Sequence, residues 1–167
     1  GHVDHVGDDE GKGRTVNIPL PAGSGNAAYR SVFERIVVPV IEEFSPELIY
    51  VSAGQDASVF DPLARMTLTT SAYRAMAGIM LDLAERLCDG RLVVAQEGGY
   101  APHYAPYCSA AVAETLTGRG DGTWPLFEPF SAYDGSLPSN VRVGLDAEKA
   151  IQDVIAEQSQ YWQRLKG

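Results

Sequence analysis

Residues 46–63 read PELIYVSAGQDASVFDPL, and this stretch decides the fold. Leu48 to Ala53 is a short, continuous apolar run rich in β-formers, bounded by Pro46 and Gly54. Such a run reads as a strand buried on both faces, the pattern of a parallel sheet. Gly54, Gln55 and Asp56 follow at once. In an open parallel sheet the ligand crevice lies beyond the carboxyl ends of the strands, which makes Asp56 the first candidate site residue. A cap on the next turn is the other role its position allows.

Working outward, Arg91–Gln96 (RLVVAQ) repeats the design: a short buried strand that runs straight into a special loop, Glu97-Gly98-Gly99-Tyr100. Between the two strands, Tyr73, Met76, Ala77, Met80, Leu81, Ala84 and Leu87 mark one face of a helix that Thr69 or Thr70 opens and Gly90 closes. Before the first strand, Ala28, Val32, Ile36, Val37, Val40, Ile41 and Phe44 give a helix with Asn26 as its expected cap and a bend at Pro39. Thr15–Leu20 (TVNIPL) reads as a brief strand, so the first unit expected is strand, helix, strand. Residues 1–14 read as loop or mobile terminus, and residues 118–140, with Trp124, Phe127, Phe130 and Tyr133, as an extended loop or arm. Helices are expected over 105–117 and from Asp146 to Leu165.

The bulk properties narrow the class. With 167 residues, 45% hydrophobic and 21% charged, the chain is one domain's worth of ordinary globular sequence. A net charge of −9 argues against nucleic acid and anionic membrane as partners and favours cationic substrates such as lysine side chains or polyamines. Cys88 and Cys108 have no ligand spacing around them, which argues against a zinc–thiolate site and a disulfide framework and fits a reducing compartment. There is neither an apolar run long enough to span a membrane nor a signal-like start, and a cytoplasmic protein is expected.

Ser52-Ala53-Gly54-Gln55-Asp56, then Asp61-Pro62-Leu63, then Glu97-Gly98-Gly99-Tyr100 resemble, in order and spacing, the second half of the histone deacetylase superfamily. The likeness is to its class II members and the bacterial deacetylase-like amidohydrolases, relatives of the acetylpolyamine amidohydrolases. Asn17-Ile18-Pro19-Leu20-Pro21 ahead of Gly23-Ser24-Gly25, and Gln158 to Trp162, resemble the same branch. The resemblance implies a three-layer α/β/α fold with a parallel sheet, of the arginase/deacetylase kind, here as a partial domain. It also implies a Zn2+ cofactor with Asp56 as one ligand, Tyr100 as the catalytic donor to the substrate carbonyl, and Leu63 lining an acyl-lysine channel. Gly98 and Gly99 would let backbone approach the substrate. The chemistry is coherent, since zinc with an open position polarises an amide oxygen and a phenol adds a donor where negative charge develops.

The family's Asp-x-His ligands and paired histidine base have no counterpart here. The three histidines are His2, His5 and His103, and none is spaced for those roles. The resemblance therefore implies the C-terminal portion of a longer zinc-dependent deacetylase, acting on acetyl-lysine or acetylpolyamine amides and inactive alone. Its expected partners are the upstream half of the domain or a second copy in a homo-oligomer. A noncatalytic assembly module, using residues 118–140 and the last helix as contacts, is the alternative from another class. A flavodoxin-like nucleotide binder rests only on element order and lacks a phosphate-binding glycine motif.

Overall fold

A computed structural model describes residues 1–118 and 130–166. Helix α1 (Asn26–Val32) continues through a π-helical turn, Phe33–Val37, into α2 (Val38–Phe44). Strand β1 (Ile49–Ala53), helix α3 (Thr70–Cys88) and strand β2 (Leu92–Gln96) follow, then α4 (Ala105–Leu116). Two one-turn helices, α5 (Tyr133–Ser136) and α6 (Pro138–Val141), precede α7 (Leu145–Gln158) and a closing 3-10 turn, Gln163–Leu165. β1 and β2 pair in parallel, Ile49 opposite Leu92 through Ala53 opposite Gln96. The βαβ unit is thus β1–α3–β2, with α3 as the crossover.

Four expectations need correction. Thr15–Leu20 pairs with no strand among the described residues. Its alternating Val16, Ile18 and Leu20 instead pack on the Val32, Ile36, Ile151 and Val154 cluster, an apolar face that helices rather than a ladder cover. The strands are not buried on both faces: Ile49 and Val51 face the α2–α3 core, whereas Tyr50 is 61% and Val93 45% exposed on the opposite face. Asn26 is the first helical residue rather than the cap, which is Gly25. The last helix stops at Gln158 rather than Leu165, because the chain turns so that Trp162 Nε1 can donate to the Gly13 carbonyl at 3.0 Å.

α3 behaves as its periodicity requires, with Leu83 and Ala84 fully buried against Ile49 and Met80. Leu83, off the face read from the sequence, is fully buried, whereas Leu81 on that face is half-buried. Thr69 is the N-cap residue, and the helix ends on Asp89 and Gly90, both in left-handed conformation. The π turn sits immediately before Pro39, whose missing N–H leaves the preceding carbonyl ladder open, so the bend is taken up there.

Asn26 ties the two long helices together. Its side chain accepts from Thr69 N at 3.0 Å and donates to Thr69 Oγ1 at 2.7 Å and Ser71 Oγ at 3.0 Å. Asn140 Oδ1 accepts from Asn26 N at 3.1 Å, docking α6 on the same point. Asn26→Ala orphans a buried amide, and urea unfolding should register a loss of about 1–3 kcal/mol. An unchanged urea midpoint would show that Thr69 N finds another acceptor.

Residues 1–14 run as a loop with a 3-10 turn at Asp9–Gly11 and a buried Val6. Of residues 118–140, Trp124 and Phe127 lie outside the described residues. Phe130 and Tyr133 pack on Phe60, with ring centroids 5.0 and 5.2 Å away, and Phe60 in turn meets Tyr104 at 4.9 Å.

Candidate active site

The two strands deliver their loops side by side. Beyond the ladder, Glu97 N donates to the Ala53 carbonyl at 3.1 Å and Gln55 N to the Gly98 carbonyl at 2.7 Å. Gly54–Asp56 and Gly98–Tyr100 are therefore fastened to one another at the carboxyl end of the sheet. Gln55 is buried, donating to the Ala53 carbonyl at 2.9 Å and accepting from Gln96 Nε2, so it props the strand ends from beneath.

Asp56 and Tyr100 flank one point. A methyl group built on Gly98 would stand 3.1 Å from Asp56 Oδ2 and 3.3 Å from the Tyr100 hydroxyl. A methyl on Gly54 would stand 3.1 Å from Asp56 Oδ1. The carboxylate thus lies in a cradle of two glycines where any side chain would crowd it. Among the described residues no hydrogen bond reaches the Asp56 carboxylate, and its charge is felt by two phenols, the half-buried Tyr29 and the buried Tyr73. The Tyr29 hydroxyl is pushed up by burial and then by Asp56. The Tyr73 hydroxyl is pushed up by burial, with Cys108, Tyr29 and Asp56 adding. Both phenols stay protonated at neutral pH.

Leu63 stands 71% exposed on the neighbouring loop, and Tyr100 is 53% exposed. That loop closes on itself through a bridge between Ser58 and Leu68, with Val59 N donating to the Leu68 carbonyl at 2.9 Å and Leu68 N to the Ala57 carbonyl at 3.1 Å. Between the Leu63 and Tyr100 loops lies a pocket of about 330 Å³ lined by Phe60, Pro62, Tyr100, His103, Tyr104 and Phe130.

Sequence reasoning missed Asp61. Its Oδ1 accepts from Leu63 N at 2.8 Å and Ala64 N at 3.0 Å, and its Oδ2 from Tyr100 N at 2.7 Å. Burial opposes its charge, but the three backbone donors, Tyr100 first, together hold the carboxyl below its ordinary 3.8. The lowered native value means that its contribution to stability is present above pH 3.8 and is lost as pH falls through that native value. The available signal was Asp before Pro, a turn former, which says nothing of an acceptor for a loop 39 residues away.

The residues fit a metal only in part. Asp56 suits one oxygen ligand, yet no group of three His, Cys, Asp or Glu side chains converges among the described residues. His2 and His5 stack edge to face at 5.2 Å, and His103 is exposed in the turn after Tyr100. Cys88 and Cys108 are both buried. No described helix is long and apolar enough to cross a membrane.

A family model described as the histone deacetylase domain matches residues 1–116. The chain belongs to the histone deacetylase family, and its fold is part of the deacetylase α/β fold, a parallel sheet with flanking helices. It is 48% identical over 116 residues to the histone deacetylase-like amidohydrolase of Pseudomonas aeruginosa, covering 70% of this chain and 30% of that protein. To chloroplastic histone deacetylase 14 of Arabidopsis thaliana it is 48% identical over 151 residues, covering 90% and 36%. Among solved structures, the HDA15 HD domain superposes with a TM-score of 0.80 at 30% identity, covering 99% of this chain and 40% of that one. The chain spans about a third of the length of these curated relatives.

Proposed function

We propose that this chain forms part of a zinc-dependent deacetylase acting on acetyl-lysine or acetylpolyamine amides, and that it is inactive by itself. The observation that carries this reading is the single point at Gly98, flanked by a phenol hydroxyl and by a carboxylate that accepts no hydrogen bond among the described residues. Asp56 would supply one zinc ligand, with an Asp-x-His pair and a histidine base coming from polypeptide upstream of Gly1. Zinc, when bound, would polarise the amide carbonyl and activate water. The Tyr100 hydroxyl would donate a hydrogen bond to the oxygen on which negative charge develops. Leu63 would line the path of the acyl-lysine stem, and Gly98 and Gly99 would let that oxygen come close to backbone. The net charge of −9 favours approach of a cationic substrate.

The exposed sheet face carrying Tyr50 and Val93 supports a partial domain that packs on an upstream half or, in its absence, on a second copy. The docking of α6 through Asn140 argues against residues 130–141 serving as a free contact arm.

The test compares the longer protein with these 167 residues alone. The longer protein should hold zinc and deacetylate an acetyl-lysine peptide or N-acetylputrescine. This chain alone should do neither, and it should self-associate in light scattering. Zinc-dependent hydrolysis by the isolated chain would mean that His2, His5 or His103 serves the site. A longer protein without zinc would favour the assembly module.

A further inference from the structure

We propose that Asp61 is the positioning residue of this site: its one carboxylate holds the Tyr100 loop with one oxygen and the Leu63 loop with the other, and so sets the phenol against Asp56. The inference deepens the deacetylase reading and rests on it. Tyr100 lies between the end of β2 at Gln96 and the start of α4 at Ala105, where neither ladder nor helix supplies an acceptor for its amide. Asp61 Oδ2 supplies one at 2.7 Å. The other oxygen is already engaged by Leu63 N and Ala64 N at 2.8 and 3.0 Å, so the carboxylate joins the Leu63 turn to the Tyr100 loop.

The anchor is itself fixed. Asp61 is 8% exposed, and its own amide donates to the Ser58 carbonyl at 3.0 Å inside the loop closed by Ser58 and Leu68. The Tyr100 side chain, by contrast, is half exposed. The position of its hydroxyl beside Gly98 therefore depends on where its backbone is held. A carboxylate can do this because both oxygens accept. An amide of the same size has one oxygen and an NH2, and whichever loop faces the NH2 meets donor with donor.

Asp61→Asn is thus a nearly isosteric cut of the link. In the zinc-loaded longer protein, hydrogen exchange of a peptide covering residues 97–104 should quicken at Tyr100 by about tenfold or more. Zinc content should stay at the wild-type level while kcat falls by about 10²-fold, the scale of a misplaced catalytic group. In a Tyr100→Phe background the same substitution should lower kcat little further, since the hydroxyl it positions is already gone. An equal fall in both backgrounds, or unchanged exchange at Tyr100, would overturn the proposal. If Asp61→Asn does not accumulate folded, Asp61→Glu keeps both oxygens and the charge and enters the same comparison. Tyr100 protection should then lie below wild type, with kcat falling only where the hydroxyl is present. A wild-type protein lacking zinc and activity would instead sink the deacetylase reading, with the exchange result still deciding whether Asp61 holds the loop.

Discussion

Replacing Tyr100 by Phe in the longer, zinc-loaded protein should leave the metal bound and lower turnover by about 10² to 10³-fold. The substitution removes only a hydroxyl, on a ring that is 53% exposed and packs on no core cluster among the described residues, so folding should be untouched. What is lost is a donor aimed at developing negative charge, which acts on kcat more than on KM. Replacing Asp56 by Ala should behave differently. It empties the cradle between Gly54 and Gly98 of the Asp56 carboxylate, and zinc and activity should fall together. Metal content and single-turnover rates on the two variants distinguish these outcomes. Loss of zinc in Tyr100→Phe would mean that the phenol and the carboxylate do not have the separate roles assigned to them.

Much of this arrangement was legible because it depends on short-range pattern. β1, β2 and α3 follow from apolar runs and a helical period, and the placement of Asp56 and Tyr100 at adjacent strand ends follows from those elements with the general rule for parallel sheets. The failures share a different cause. Thr15–Leu20 alternates like a strand, but alternation reports only that one face is covered and not by what. Asn26 is a cap-forming residue type, yet its side chain is taken by Thr69 and Ser71, more than forty residues on. The run at 48–53 reads as doubly buried, but its second face is open among the described residues, because burial there depends on packing partners that local pattern does not specify. Asp61 was invisible as a site residue for the same reason: its role consists of accepting backbone hydrogen bonds across a loop junction, and nothing in residue type or spacing announces that.

The adjacent glycines of the second loop should separate fold from function more sharply than any side chain. Gly99 has φ +134°, a conformation that L side chains rarely adopt, and an added Cβ would lie 3.0 Å from Gln55 Cβ and 3.4 Å from Ala105 Cβ. Gln55 is 1% exposed and pinned by its hydrogen bonds, so it cannot yield. Backbone strain and overpacking act together, and Gly99→Ala should destabilise the protein by about 3 kcal/mol or more. Gly98 carries no positive φ, and the atoms an added Cβ would meet belong to the ends of the Asp56 and Tyr100 side chains. Those ends can swing aside. Gly98→Ala should therefore cost less than about 1 kcal/mol of stability, yet it displaces both groups from their common point, and activity should fall by about 10²-fold. Urea unfolding and deacetylation rates on the pair decide the matter. A stable Gly99→Ala would mean that this loop is not held as tightly as its contacts imply, and an active Gly98→Ala would mean that Asp56 and Tyr100 do not act at the point they share.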